Sequence, residues 1–123
     1  MSIPKPTAAE LELLQALWPL GQATAKQVHE AMLGDKPDLA YSAVLRLMQI
    51  MHTKGILTRD ESQRSHIYAP AQAQDALQSS LLKDLVQKAF AGSAKALVLA
   101  ALRNGISKKE RAEIEKLLKE EKK

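Results

Sequence analysis

The stretch 40-AYSAVLRLMQIMHTKG-55 decides how this chain is read. Turned at about 100° per residue, it sets Ala40, Val44, Leu47, Met48 and Met51 on one side and Ser42, Arg46, Gln49 and Thr53 on the other. The first set is a core stripe. The second carries hydrogen-bonding side chains and no carboxylate, whereas a solvated helix face usually mixes Glu with Lys. Periodicity alone leaves a core helix with a polar back. Whether that back reads something depends on what flanks it.

On the N-terminal side, Thr7-Ala8-Ala9-Glu10 is a capping box, in which hydroxyl and carboxylate satisfy free amide donors. Leu11, Leu14, Leu17 and Trp18 follow at helical spacing until Pro19 and Gly21 end the helix. Thr24-Ala25-Lys26-Gln27 is a second capping box, opening a short helix with Ala25, Val28 and Met32 on its apolar side and Gly34 at its close. A loop containing Pro37 leads into the quoted helix, which Gly55 stops.

Beyond Gly55 the period changes to that of strands. Ile56 to Arg59 and Ser65 to Ala69 are short strand-like runs separated by the polar stretch Asp60 to Arg64, which predicts a hairpin. Three helices followed by a hairpin is the order of a winged helix-turn-helix, predicted over residues 1–71. Residues 72–123 are expected to be helical. Apolar positions recur from 73 to 91, Gly92 marks a break, Ala94 to Arg103 continue, and Ser107-Lys108-Lys109-Glu110 caps a last helix with Ile114, Leu117 and Leu118 inward. Helices in so short a segment bury little apolar surface alone. A second copy is the economical partner, so a homodimer is expected through Leu81, Leu85, Phe90, Leu97, Val98, Leu102, Ile114, Leu117 and Leu118. The fold class is thus mainly α, a winged helix-turn-helix followed by a helical dimerisation domain.

Composition narrows the function. The chain has no cysteine, which removes disulfides, thiolate metal sites and cysteine redox chemistry. One Trp, two Tyr and one Phe are too few for a base-stacking single-strand binder. His29, His52 and His66 lack ligand spacing, and no nucleophile and base arrangement or phosphate-cradling glycine loop is found. Neither an enzyme, a cofactor nor a metal site is expected. No apolar run approaches the roughly 20 residues of a membrane span, and MSIPKPTAAE lacks the pattern of a signal peptide. A cytoplasmic protein with no membrane partner is expected. The net charge is +4, but up to Pro70 acids and bases balance at seven each, while residues 71–123 hold eleven Lys or Arg against seven Asp or Glu. Bulk charge therefore does not locate a polyanion site.

Glu10 to Leu14, Leu17-Trp18, Gly21 to Thr24, Val28, Ala40-Tyr41, Val44, Lys54 to Arg59 and Arg64 to Tyr68, in this order and at these intervals, resemble the penicillinase repressor and methicillin-resistance repressor (BlaI/MecI) family. The resemblance runs from Thr7 to about Leu118. It implies a dimeric winged-helix repressor bound to a palindromic double-stranded operator of antibiotic-resistance or stress genes. The family's reading helix begins with Ala-Tyr, two threonines and another threonine a turn later; here those positions hold Ser42, Ala43 and Arg46. The scaffold is similar and the reading side chains differ. The resemblance also implies a sensor-linked protease as partner, cutting an Asn-Phe bond whose place is taken here by Ala100-Ala101. The copper-responsive relatives switch through a cysteine-rich motif that this chain lacks.

A helix of this diameter fits a major groove, where outward side chains meet base edges. Arg46 would pair with guanine O6 and N7, and Ser42, Ala43 and Gln49 would face bases or phosphates. Tyr41, nearer the core side, would reach a phosphate or merely pack. Arg59 and Arg64 are candidate phosphate contacts from the wing, or partners of Asp60 or Glu61. Thr24 sits at a helix N-terminus that suits a phosphate and is equally explained as a cap. Two rival readings stand beside DNA binding: a winged-helix protein-interaction module, cued by Leu45 and Ile50, and a ligand-sensing regulator.

Overall fold

The computed structural model describes residues 4–121. Three helices come first: α1 (Ala8–Leu17) with a 3-10 turn at Trp18–Leu20, α2 (Ala25–Met32) and α3 (Tyr41–Lys54). Strands β1 (Leu57–Asp60) and β2 (Ile67–Pro70) follow, then α4 (Gln74–Ala89), α5 (Ala94–Asn104) and α6 (Lys108–Glu121). The winged helix-turn-helix order is present. Both expected capping boxes form at α1 and α2, with the Glu10 and Gln27 amides donating to the Thr7 and Thr24 hydroxyls at 3.2 Å and the return bonds at 2.9 Å. Gly55 ends α3 in the left-handed region (φ 85), and the Ile56 amide donates back to the Met51 carbonyl at 2.9 Å. A side chain at Gly55 would be strained there.

The strands pair antiparallel, Leu57 opposite Pro70 and Asp60 opposite Ile67. A third segment joins them. Ala23, just before α2, bridges Tyr68 through two backbone hydrogen bonds of 2.8 and 2.9 Å. The hairpin is thereby tied to the start of α2.

The chain divides into two compact units, the first ending at Ser79 and the second beginning at Ser80. The first continues past the boundary expected at residue 71 because Leu77, in the first turn of α4, is 8% exposed and lines a small cleft with Pro6, Leu14, Ile56 and Pro70. Its core is built from Leu13, Leu14, Leu17, Val28, Val44, Met48, Met51, Leu57 and Tyr68, each at most 2% exposed. Burial at that depth stabilises by about 1.5–3 kcal/mol per large side chain.

Two expected faces are corrected. The buried stripe of α1 runs Glu10, Leu13, Leu14, Leu17, while Leu11 and Trp18 are half-buried. The face is rotated toward Glu10 because that carboxylate meets Lys54 of α3 at 2.8 Å. On α3, Val44, Met48 and Met51 are buried, but Leu47 is half-buried and Ala40 is exposed as the residue before the helix.

In the second unit no described hydrophobic side chain is buried. Leu81, Phe90, Leu97 and Leu102 are half-buried. Leu85, Val98, Ile114, Leu117 and Leu118 are exposed, and the last three are the expected inward face of α6. The break between α4 and α5 falls where expected, with Ala91 and Gly92 at positive φ (51 and 85) and the Ser93 hydroxyl capping α5 through the Ala96 amide at 3.0 Å. Ser107 accepts from the Glu110 amide at 3.1 Å to start α6. Among the described residues no single helix is long and apolar enough to cross a membrane.

Candidate nucleic-acid interface

Helix α3 packs one side into the core of the first unit, which leaves Ser42, Arg46, Gln49 and Thr53 exposed as the helical period requires. The Thr53 hydroxyl is used locally, donating to the Gln49 carbonyl at 3.1 Å. Arg46 forms no ion pair among the described residues.

The expected residues separate into two neighbourhoods. Thr24, Tyr41, Gln49 and Arg64 line one groove of about 280 Å³, together with Lys26, Leu45, Ser65 and His66. Its lining holds two cations and no carboxylate. Ser42, Ala43 and Arg46 border a second, wider hollow of about 630 Å³ on the opposite flank of α3, whose walls include Leu13, Met32, Leu39, Leu47 and Ile50. The ridge of α3 between the two hollows carries the polar side chains. Lys26 and His66 are groove residues that the sequence reading did not select. Lys26 stands two residues after the cap at Thr24, in the first turn of α2, and that position is the local signal for it.

The wing arginines are unlike one another. Arg59 lies over the Tyr68 ring at 5.9 Å and forms a two-atom contact with the Glu61 carboxylate at 2.8 and 2.9 Å, its side chain only 20% exposed. Hydrogen bonding toward Tyr68 and then Glu61 raises the Arg59 pKa, so its charge is fixed and already balanced. Arg64 is exposed, at the groove, and without an ion pair among the described residues. Of the two, Arg64 is the one offered to an anion. Asp60 is also committed locally: hydrogen bonding to Ser62, whose amide donates to it at 2.9 Å, lowers its pKa and shapes the tip of the wing.

Tyr41 was expected nearer the core side, but it is 44% exposed, with its ring edge-to-face against His29 at 5.9 Å. Thr24 is a cap in fact, and its hydroxyl is spent on Gln27. Ala100 and Ala101 lie within α5, the Ala100 carbonyl accepting from the Asn104 amide group at 2.8 Å. Among the described residues no group of three or more acids and histidines is placed to hold a metal.

A family model described as penicillinase repressor matches residues 6–120. The chain belongs to the penicillinase repressor family. Among similar proteins, the transcriptional regulator BlaI of Mycobacterium tuberculosis is 34% identical over 92 residues, which cover 73% of this chain and 66% of the regulator. This chain therefore spans just under two thirds of the length of the curated relatives it matches. The solution structure of the DNA-binding domain of the repressor BlaI aligns with a TM-score of 0.52 at 19% identity, over 59% of this chain and 88% of that one. Monomeric BlaI of Bacillus licheniformis, solved in complex with the blaP half-operator, aligns with a TM-score of 0.50 at 20% identity, over 60% and 89%. At these identities the likeness is one of fold, and it assigns this penicillinase repressor family member a winged-helix N-terminal unit.

Proposed function

We propose that the chain is a DNA-binding transcriptional repressor, not an enzyme, that acts in the cytoplasm as a homodimer on a pseudopalindromic operator. The supporting observation is the exposed side of α3, on which Arg46 forms no ion pair among the described residues, with a carboxylate-free groove lined by Lys26 and Arg64 on the other flank of the helix. In that reading α3 enters the major groove, Arg46 and Gln49 meet base edges, and Arg64, Lys26 and the free amides at the start of α2 hold phosphates. Thr24 then acts through its cap, by fixing those amides. Monomeric BlaI of Bacillus licheniformis, which shares the fold, is solved in complex with the blaP half-operator, and this supports a DNA-binding reading.

Phosphate contacts release counterions, so the logarithm of affinity falls linearly with the logarithm of salt concentration. Titration of duplexes from a selected random pool at several salt concentrations is expected to give a steep negative slope. A slope near zero would reject this mode of binding.

The second unit, beginning at Ser80, is proposed as the dimerisation domain. The basis is the uncovered apolar surface at Leu85, Val98, Leu117 and Leu118, exposed between 48 and 59% in one chain. Leu117→Glu with Leu118→Glu is expected to give a monomer by sedimentation velocity with the helical signal retained. A variant that still sediments as a dimer would place the interface elsewhere. A sensor-linked protease as a further partner would have to unwind α5 to reach the Ala100–Ala101 bond.

A further inference from the structure

The residue before α3 supplies no capping side chain: Ala40 stands where α1, α2 and α5 have Thr7, Thr24 and Ser93. A helix start without a side-chain cap is less stable than a capped one. Something else must hold it. The ring of His29, on the last turn of α2, reaches across the turn and makes a 2.7 Å hydrogen bond between its Nε2 and the Leu39 carbonyl, one residue before Ala40. A carbonyl only accepts, so Nε2 carries the proton whatever the state of Nδ1. The same ring meets Tyr41, the first residue of α3, edge-to-face at 5.9 Å. One side chain thus grips the chain on both sides of the missing cap. The turn it spans holds few other ties, among them the Leu39 amide to the Lys36 carbonyl at 3.1 Å.

We infer that His29 is a positioning residue for sequence reading: it fixes the entry of α3, and with it the placement of Ser42 and Arg46, without touching DNA itself. The inference rests on the proposed insertion of α3 into the major groove. Base-edge hydrogen bonds tolerate little displacement, whereas phosphate contacts from long flexible side chains tolerate more. Loosening the start of α3 therefore lowers discrimination between sequences more than it lowers affinity for DNA in general.

Two substitutions separate the hydrogen bond from the packing. His29→Phe keeps a ring against Tyr41 and removes the donor; His29→Gln restores a donor at similar reach. In the full chain, hydrogen exchange of the Ala43 and Val44 amides, both bonded to the Ala40 carbonyl, reads the clamp without DNA. His29→Phe is expected to speed their exchange about fivefold and His29→Gln to hold it near the parent rate. With DNA, His29→Phe is expected to reduce the affinity ratio of selected to unrelated duplex about five- to tenfold, with affinity for the unrelated duplex and the melting temperature nearly unchanged, and His29→Gln to recover it. Unchanged amide exchange in His29→Phe overturns the clamp. A parallel loss of affinity for both duplexes, or an unchanged ratio, overturns the role in reading. If the parent chain binds no duplex at low salt, it is the DNA-binding reading that fails, and the exchange result still decides the clamp.

Discussion

Arg46→Ala is expected to weaken binding to a selected duplex by about 1–3 kcal/mol per half-site, because a bidentate arginine to guanine pair discriminates by that amount. In a dimer the loss is taken twice. Affinity for unrelated duplexes should be nearly unchanged if Arg46 reads a base, since phosphate contacts elsewhere carry that part of the binding. Titrating both duplexes at one salt concentration makes the distinction. An equal loss on both would make Arg46 a phosphate contact, and the salt slope would then also become shallower. Arg46 is suited to either role by its exposure and its lack of a carboxylate partner among the described residues.

The second large effect concerns stability. Glu10 is 1% exposed and its carboxylate accepts from the Thr7 amide at 2.9 Å and from Lys54 Nζ at 2.8 Å. Burial by itself pushes the Glu10 carboxyl up, but the Lys54 hydrogen bond, the Thr7 amide and the Lys54 charge outweigh it, and the pKa lies below its ordinary value of 4.5. Lys54→Met removes the charged donor and leaves a buried carboxylate with the Thr7 amide and hydroxyl alone. The expected cost at neutral pH is about 1.5–3 kcal/mol, the range for hydrogen bonds to charged groups. Lys54 is one-third exposed (33%), so water can partly replace it, which favours the lower end.

A carboxyl whose pKa falls on folding stabilises the folded state above its unfolded pKa, and that stability is lost as pH drops through the folded pKa. The parent protein should therefore lose this contribution below about pH 4.5, and the deficit of Lys54→Met should shrink over the same range. Thermal melts of both proteins from pH 7 to pH 3 check it. A deficit independent of pH would mean that lost packing of the lysine stem, not its charge, is responsible.

Much of this architecture was legible because the local signals are covalently near one another. The capping boxes at Thr7 and Thr24, the stop at Gly55 and the shift from helical to strand period are decided within a few residues, and each appears in the fold. What was not legible depends on partners distant in sequence. Nothing near Glu10 announces Lys54, so the local pattern reads the carboxylate as a cap alone and puts the buried face of α1 on Leu11 instead of Leu13. The two wing arginines look alike in sequence, and the place of Tyr68 beneath Arg59 together with its pairing to Glu61 tells them apart. Helical angle sets Tyr41 nearer the core side, but at the first residue of α3 it is 44% exposed with His29 as its neighbour.

The backbone bridge between Ala23 and Tyr68 has a mechanical meaning. The start of α2 and the base of the wing form the two jaws of the groove that Lys26 and Arg64 line, and the paired hydrogen bonds weld those jaws together. On the proposed DNA-binding reading, a polyanion entering it would meet a gauge of set width, and the work of fitting would fall on the polyanion. For a duplex, that gauge favours sequences whose own stiffness and groove width already match it, so base pairs never touched by a side chain would still be weighed.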